Sequence, residues 1–220
     1  SSIVSDTLMS SDFVTIEMLL SHRSGIANHG DNLTCQQDVL TDPNAPKTLL
    51  EAIYCGASLG ELFTPGSSYY YSNTNYSLLA LIVENATGED YWTILQDSII
   101  TPAGLTNTYI APGDTILDPH MGCYWNLPPV IDLTVIDRSI YKGWADVVST
   151  PEDLNAFHLA LRNGQVISNA NYASMIVAYS TGYGYAQELW PVGGDSYTGH
   201  SGEVGNTSGM FYSGLNTVSF

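Results

Sequence analysis

Between residues 182 and 214 nine glycines interrupt aromatic and β-branched residues, a pattern that suits short antiparallel hairpins and breaks a helix. The earlier chain reads differently. Thr15 stands as an N-cap before Ile16, Leu19 and Leu20 on one helix face, with Glu17 in the acid-favouring first turn. Gly25 and a polar stretch to Pro46 end that helix. A second helix is expected over residues 47–62, followed by a turn at Pro65-Gly66 and the run Tyr69-Tyr70-Tyr71. A third has Thr74 as its cap, an apolar stripe of Leu78, Leu79, Ile82 and Val83, and a stop at Thr87-Gly88. A fourth covers 90–100. Residues 103–148 are turn-rich, with breaks at Gly113-Asp114, Asp118-Pro119 and Pro128-Pro129, and short strands are expected there. Thr150-Pro151-Glu152-Asp153 then opens a helix that Asn163-Gly164 closes, and residues 168–179 form another. Thr217 to Phe220 reads as a strand with no partner after it, and no internal repeat is visible.

The chain has 220 residues, 44% of them hydrophobic, enough to bury a sizeable core. Its longest aliphatic run, Leu78 to Val83, is far shorter than the roughly 20 residues of a membrane-spanning helix, so no membrane role is expected. Five Lys plus Arg against 22 Asp plus Glu give a formal charge of −17, which repels phosphate backbones and excludes nucleic acid as a partner. Of the three cysteines, Cys35 and Cys55 flank a polar loop and are the preferred disulfide, leaving Cys123. Sequons at Asn32, Asn75, Asn85 and Asn206 fit a secreted, extracellular glycoprotein, although Asn75 lies too close to Tyr71 for glycosylation to be expected.

Four further patterns stand in a fixed order. Thr15 to Ile26 ends in Ser21-His22-Arg23-Ser24-Gly25. Phe63-Thr64-Pro65-Gly66 leads to Tyr71-Ser72-Asn73. Ser149-Thr150-Pro151-Glu152-Asp153-Leu154 starts a helix, and Gly199-His200-Ser201-Gly202 lies in the hairpin region. In order and spacing these resemble the serine β-lactamase and DD-peptidase family, the penicillin-recognising enzymes, in its class C and DD-carboxypeptidase/esterase branch. The resemblance implies an α+β fold of the β-lactamase/transpeptidase type, here incomplete at both ends. Residues 1–148 would be the mainly helical region carrying the Tyr-Ser-Asn loop. Residues 149–220 would supply helices and antiparallel strands of the α/β region. The family's Ser-x-x-Lys nucleophile turn precedes its Tyr-x-Asn loop, yet the only lysine before Tyr71 is Lys47, with Asn44 three positions earlier. Ser139-Ile140-Tyr141-Lys142 fits the letters in the wrong place and is read as coincidence. The missing segment is therefore expected outside these residues, in further sequence of the same protein or on a second polypeptide.

Carried over by that resemblance, the catalytic residues are Tyr71, as base or proton relay, and His200, where many β-lactamases have lysine. A phenol titrates near 10 and needs neighbouring cations to work at neutral pH. Substrate-binding residues are Asn73, Ser201, Gly202 and Glu203. Asn73 offers a donor and an acceptor, and the backbone N–H of Glu203 would be one oxyanion donor. Glu203 stands where carboxylate-binding relatives tend to have a hydroxyl, so an ester or an amide bearing a free amine suits the site better than penicillin. His22 and Ser24 are read as satisfying backbone groups in a turn. No His-Glu-x-x-His, Cys-x-x-Cys or Gly-x-Gly-x-x-Gly occurs, so no metal and no cofactor is expected. The expected function is a serine hydrolase acting through an acyl-enzyme on a small-molecule or peptide substrate, such as a D-amino-acid peptide, β-lactam or small ester. The alternative is a non-catalytic ligand-binding or scaffolding member of the same fold. Catalysis further requires the Tyr71 phenol and the His200 imidazole to face one crevice.

Overall fold

The computed structural model describes residues 11–110, 116–117, 120–125, 130–134, 136–179, 182–203, 207–213 and 216–219. The turns expected at Gly113-Asp114, Asp118-Pro119 and Pro128-Pro129, the sequon at Asn206 and the end of the last strand at Phe220 lie outside them. The chain divides into two compact units whose segments interleave: Ser1–Tyr91, Ala111–Thr115 and Val135–Asp146 in the first, Trp92–Ile110, Ile116–Thr134 and Val147–Phe220 in the second. The fold is α+β, of the β-lactamase/transpeptidase type, as the sequence leads one to expect.

In the first unit Thr15 caps α1 (Ile16–Leu20) by accepting from the Met18 N–H at 3.2 Å. Only Leu19 of α1 is buried, and Ile16 faces outward. A helix then appears where none was expected, α2 (Leu33–Thr41). It has no buried residue and no apolar stripe, so periodicity could not reveal it. What holds it is local and covalent. The Asn32 Oδ1 accepts from the Thr34 and Cys35 N–H groups, while its Nδ2 donates to the Cys55 carbonyl at 2.9 Å. The Cys35–Cys55 disulfide bolts α2 to α3 (Leu49–Ala57), as the cysteine spacing predicts. α3 is shorter than the expected 47–62, because the Thr48 and Glu51 capping box fixes its start and Ser58 its end.

α4 (Asn73–Thr87) crosses α3 closely. A Cβ at Gly56 would sit 2.2 Å from the Thr74 Oγ1 and 2.7 Å from the Ala27 carbonyl, so only glycine permits this approach. Thr74 is not the cap of α4. Ser72 holds that position without a side-chain cap bond, and the buried Thr74 hydroxyl donates to Ala27 O and accepts from the His29 N–H. Gly88 ends the helix in the left-handed conformation, as expected. Leu19, Ile26, Leu49, Ile53, Ala57, Leu78 and Ala80 form the core of this unit.

The second unit begins at Trp92 within α5 (Tyr91–Leu95), which runs into a π turn, Gln96–Ile100. Two small antiparallel pairs follow, β1 (Tyr109–Ile110) with β4 (Val147–Val148) and β2 (Tyr124–Trp125) with β3 (Ile131–Asp132). Thr150 caps α6 (Pro151–Arg162), with proline in the first turn. Its buried Asp153 receives the Asn107 N–H at 2.7 Å and the Thr108 hydroxyl at 2.8 Å. α7 (Asn169–Met175) is shorter than the expected 168–179. The glycine-rich end forms a four-stranded antiparallel meander of β5 (Glu188–Val192), β6 (Asp195–Glu203), β7 (Thr207–Ser213) and β8 (Asn216–Ser219), with α6 packed against β7 and β8. Gly193 and Gly194 turn the first hairpin with φ of 60° and 94°, the signs a type I′ turn demands.

Candidate active site

The Tyr71 loop is built on His22. This residue is fully buried, at φ 55°, and its Nδ1 accepts from the Ser72 N–H at 3.0 Å, with the Asn75 amide nitrogen at 3.3 Å. Two donors at Nδ1 put the ring proton on Nε2. The imidazole lies against Tyr71 at 4.2 Å between centroids and 39° between planes, with Tyr76 at 5.3 Å on another side. Around it the two segments are stitched together. The Ser24 hydroxyl donates to Asn75 Oδ1 at 2.7 Å, the Ser72 hydroxyl to Ala27 O at 3.1 Å, and the Tyr70 N–H to His22 O at 3.0 Å. His22 and Ser24 thus do the turn-bracing work expected of them. Tyr71 itself keeps 38% of its surface exposed. Asn73 opens α4 beside it, its N–H donating to Asn28 Oδ1. Asn75 is fully buried and doubly hydrogen-bonded, so its sequon offers no accessible acceptor, while Asn85 is exposed.

His200, Ser201, Gly202 and Glu203 occupy consecutive positions on β6. The His200 Nε2 lies 3.0 Å from the Tyr183 hydroxyl, and its Nδ1 contacts the Ser201 carbonyl. The register pairs Glu188 with Gly199 across the hairpin, which carries the Glu188 carboxylate over Ser201. The Ser201 hydroxyl donates to Glu188 Oε1 at 2.9 Å, and His200 Nδ1 is 3.7 Å from the same oxygen. The Trp190 indole N–H donates to Glu188 Oε2 at 2.9 Å. Glu203 is exposed at the strand end. Glu188 and Tyr183 were not singled out from sequence. Counting outward from the Gly193-Gly194 turn would have placed Glu188 next to the His-Ser-Gly segment.

Tyr71 and Asn73 therefore belong to the first unit and the His200 to Glu203 stretch to the second. Ser139 and Lys142 serve structure. Ser139 accepts from the Lys47 N–H at 2.7 Å, and Lys142 Nζ lies 2.6 Å from both Glu84 and Asp90. Partial burial opposes the ammonium, but its two carboxylates outweigh this and push the lysine up, away from any role as a base. Gly56-Ala57-Ser58-Leu59-Gly60 spells a nucleophile elbow, yet Ser58 closes a helix and its hydroxyl donates to Cys55 O. An elbow needs a strand-to-helix turn. Burial lowers both His29 and His158 to about 4, Asp31 partly opposing this at His29 and Arg162 adding to it at His158. Among the described residues no cluster of His, Cys, Asp or Glu could hold a metal, and no helix is long and apolar enough to cross a membrane.

A family model described as beta-lactamase matches residues 10–218. Among curated relatives, a penicillin-binding protein of Bacillus subtilis (strain 168) is 28% identical over 184 residues, 73% of this chain and 38% of the relative. A D-aminopeptidase of Brucella anthropi is 25% identical over 148 residues, covering 64% of this chain and 28% of its own length. Among solved structures, a D-stereospecific amidohydrolase from Streptomyces sp. superposes with a TM-score of 0.83 at 27% identity, over 91% of this chain and 64% of that one. The chain spans well under half the length of these curated relatives.

Proposed function

The chain belongs to the beta-lactamase family, and from that premise we propose that it carries the Tyr and His halves of a serine hydrolase acting through an acyl-enzyme. The nucleophilic serine and its lysine would lie in sequence outside these 220 residues. The substrate is an amide or ester, and a D-amino-acid peptide or amide heads the list because relatives named D-aminopeptidase and D-stereospecific amidohydrolase are among the matches. The disulfide fits an extracellular setting.

The observation that carries this reading is the Tyr71 ring, backed by a buried His22 whose orientation two hydrogen bonds fix, while 38% of the tyrosine's surface stays exposed. A hydroxyl held in that way can take the proton of a serine Oγ as it attacks the substrate carbonyl, then return it to the departing nitrogen or oxygen. Asn73 would hold the substrate amide. The Glu203 N–H, with the N–H of the serine, would receive the oxyanion. Water then repeats the sequence on the acyl-enzyme and releases the acid.

Labelling the full-length protein with a fluorescent penicillin and a fluorophosphonate tests this. An acyl-enzyme predicts a single adduct of probe mass on a serine upstream of Tyr71. Saturating probe without any adduct would replace the reading by a non-catalytic ligand-binding module.

A further inference from the structure

Glu188 is a carboxylate with donors but no permanent countercharge. Its side chain is only 18% exposed. Three neutral groups reach it: the Ser201 hydroxyl at 2.9 Å, the Ser201 N–H at 3.4 Å and the Trp190 indole at 2.9 Å. The nearest basic group is His200, at 3.7 Å, and among the described residues no lysine or arginine pairs with it. Two carboxylate oxygens offer about four acceptor positions, so these three donors leave room for another. A half-buried anion without a matching cation is costly to keep. Here it sits against Ser201 and His200, with an indole on its other side, in a chain that carries only five lysines and arginines.

We infer that Glu188 is a specificity-determining residue: its carboxylate receives a protonated amine of the substrate and turns away substrates that present a carboxylate at that position. The inference rests on the hydrolase reading above and moves the selecting charge from the exposed Glu203 to the half-buried Glu188. Burial decides between the two, since a charge shielded from water discriminates more strongly than one at an exposed strand end. Trp190, held by the same carboxylate, supplies an apolar face for the group attached to the amine.

The test is calorimetric titration of the full-length protein with D-phenylalanine amide and with N-acetyl-D-phenylalanine amide. The free amine is expected to bind about tenfold tighter or more, the worth of one charge-assisted hydrogen bond. Glu188→Gln keeps the shape and the acceptor for Ser201, and should bring the two affinities to within about twofold by weakening only the amine. Glu203→Gln should leave the preference intact. A wild-type protein that binds both probes equally or ignores the amine, a preference surviving in E188Q, or one lost in E203Q would overturn the inference. Should E188Q not fold, wild-type protein titrated with phenethylamine and 3-phenylpropionate decides: the amine must bind and the carboxylate must be at least tenfold weaker. Fluorophosphonate labelling of the same sample separates the two ideas. Labelling without amine preference sinks this inference alone, whereas amine preference without labelling removes the acyl-enzyme and leaves Glu188 as a ligand-binding residue.

Discussion

Replacing His22 distinguishes its two tasks, bracing a turn and backing Tyr71. His22→Ala removes the acceptor of the buried Ser72 N–H and of the Asn75 amide. An orphaned buried donor costs about 1–3 kcal/mol, and the Asn75 contact is the longer of the two at 3.3 Å against 3.0 Å, so one full penalty and part of another are expected. Position 22 has φ 55°, where alanine is strained by about 1 kcal/mol and asparagine is tolerated. The sum for His22→Ala is roughly 3–5 kcal/mol once the lost ring contacts are included. His22→Asn offers an amide oxygen near the former Nδ1 and accepts the φ, so about half of that loss should return. Urea unfolding of the two variants at equal m-value measures the difference. The same Asn variant leaves Tyr71 without its ring at 4.2 Å, so turnover or probe labelling should stay depressed although the fold has recovered. Equal stability of the Ala and Asn variants would refute the hydrogen-bond argument. Full activity in the Asn variant would refute the backing role.

Gly56→Ala should destabilise by about 1–3 kcal/mol, since the new methyl group meets Thr74 Oγ1 and the Ala27 carbonyl and must push α3 from α4; thermal melting reads it. Replacing Cys35 and Cys55 together by serine should cost about 3 kcal/mol, the expectation for a loop closed over 20 residues, with α2 the first helix to lose amide-exchange protection. His29 is held near 4, below the 6.5 of the unfolded chain, so the native state resists a proton that the unfolded state accepts. Its contribution is intact above pH 6.5 and is lost as pH falls towards 4, by on the order of 3 kcal/mol. Unfolding free energies of His29→Gln should fall less than those of the parent over that window.

What the sequence revealed was the chemistry that acts over a few residues. Thr15, Thr150 with Pro151, and Gly88 mark helix ends by hydrogen bonds and backbone angles local to them, and all three behave as read. The Cys35–Cys55 pair followed from spacing alone. The failures share another cause. α2 has no buried face and depends on Asn32 and a disulfide formed with a distant helix. Thr74, in a good position to cap α4, spends its hydroxyl on Ala27 and His29, 47 and 45 residues away. The site followed the same division. Tyr71, Asn73 and the His200 to Glu203 stretch stand in contiguous motifs, which is why they could be named as candidates. Glu188 reaches Ser201 through a strand register that shows only when residues are counted outward from the Gly193-Gly194 turn, and Tyr183 reaches His200 through the bend before β5, which no short motif encodes.

Under the proposed function Tyr71 and His200 serve the same reaction, which a double-mutant cycle can read. Tyr71→Phe, His200→Gln and the double variant of the full-length protein would be compared by kcat/KM on an amide or ester that the wild type turns over. Groups serving one transition state are strongly non-additive, so the double variant should be little worse than the weaker single one. Losses that simply add, or a His200→Gln variant as active as the parent, would show that the two residues do not share a reaction.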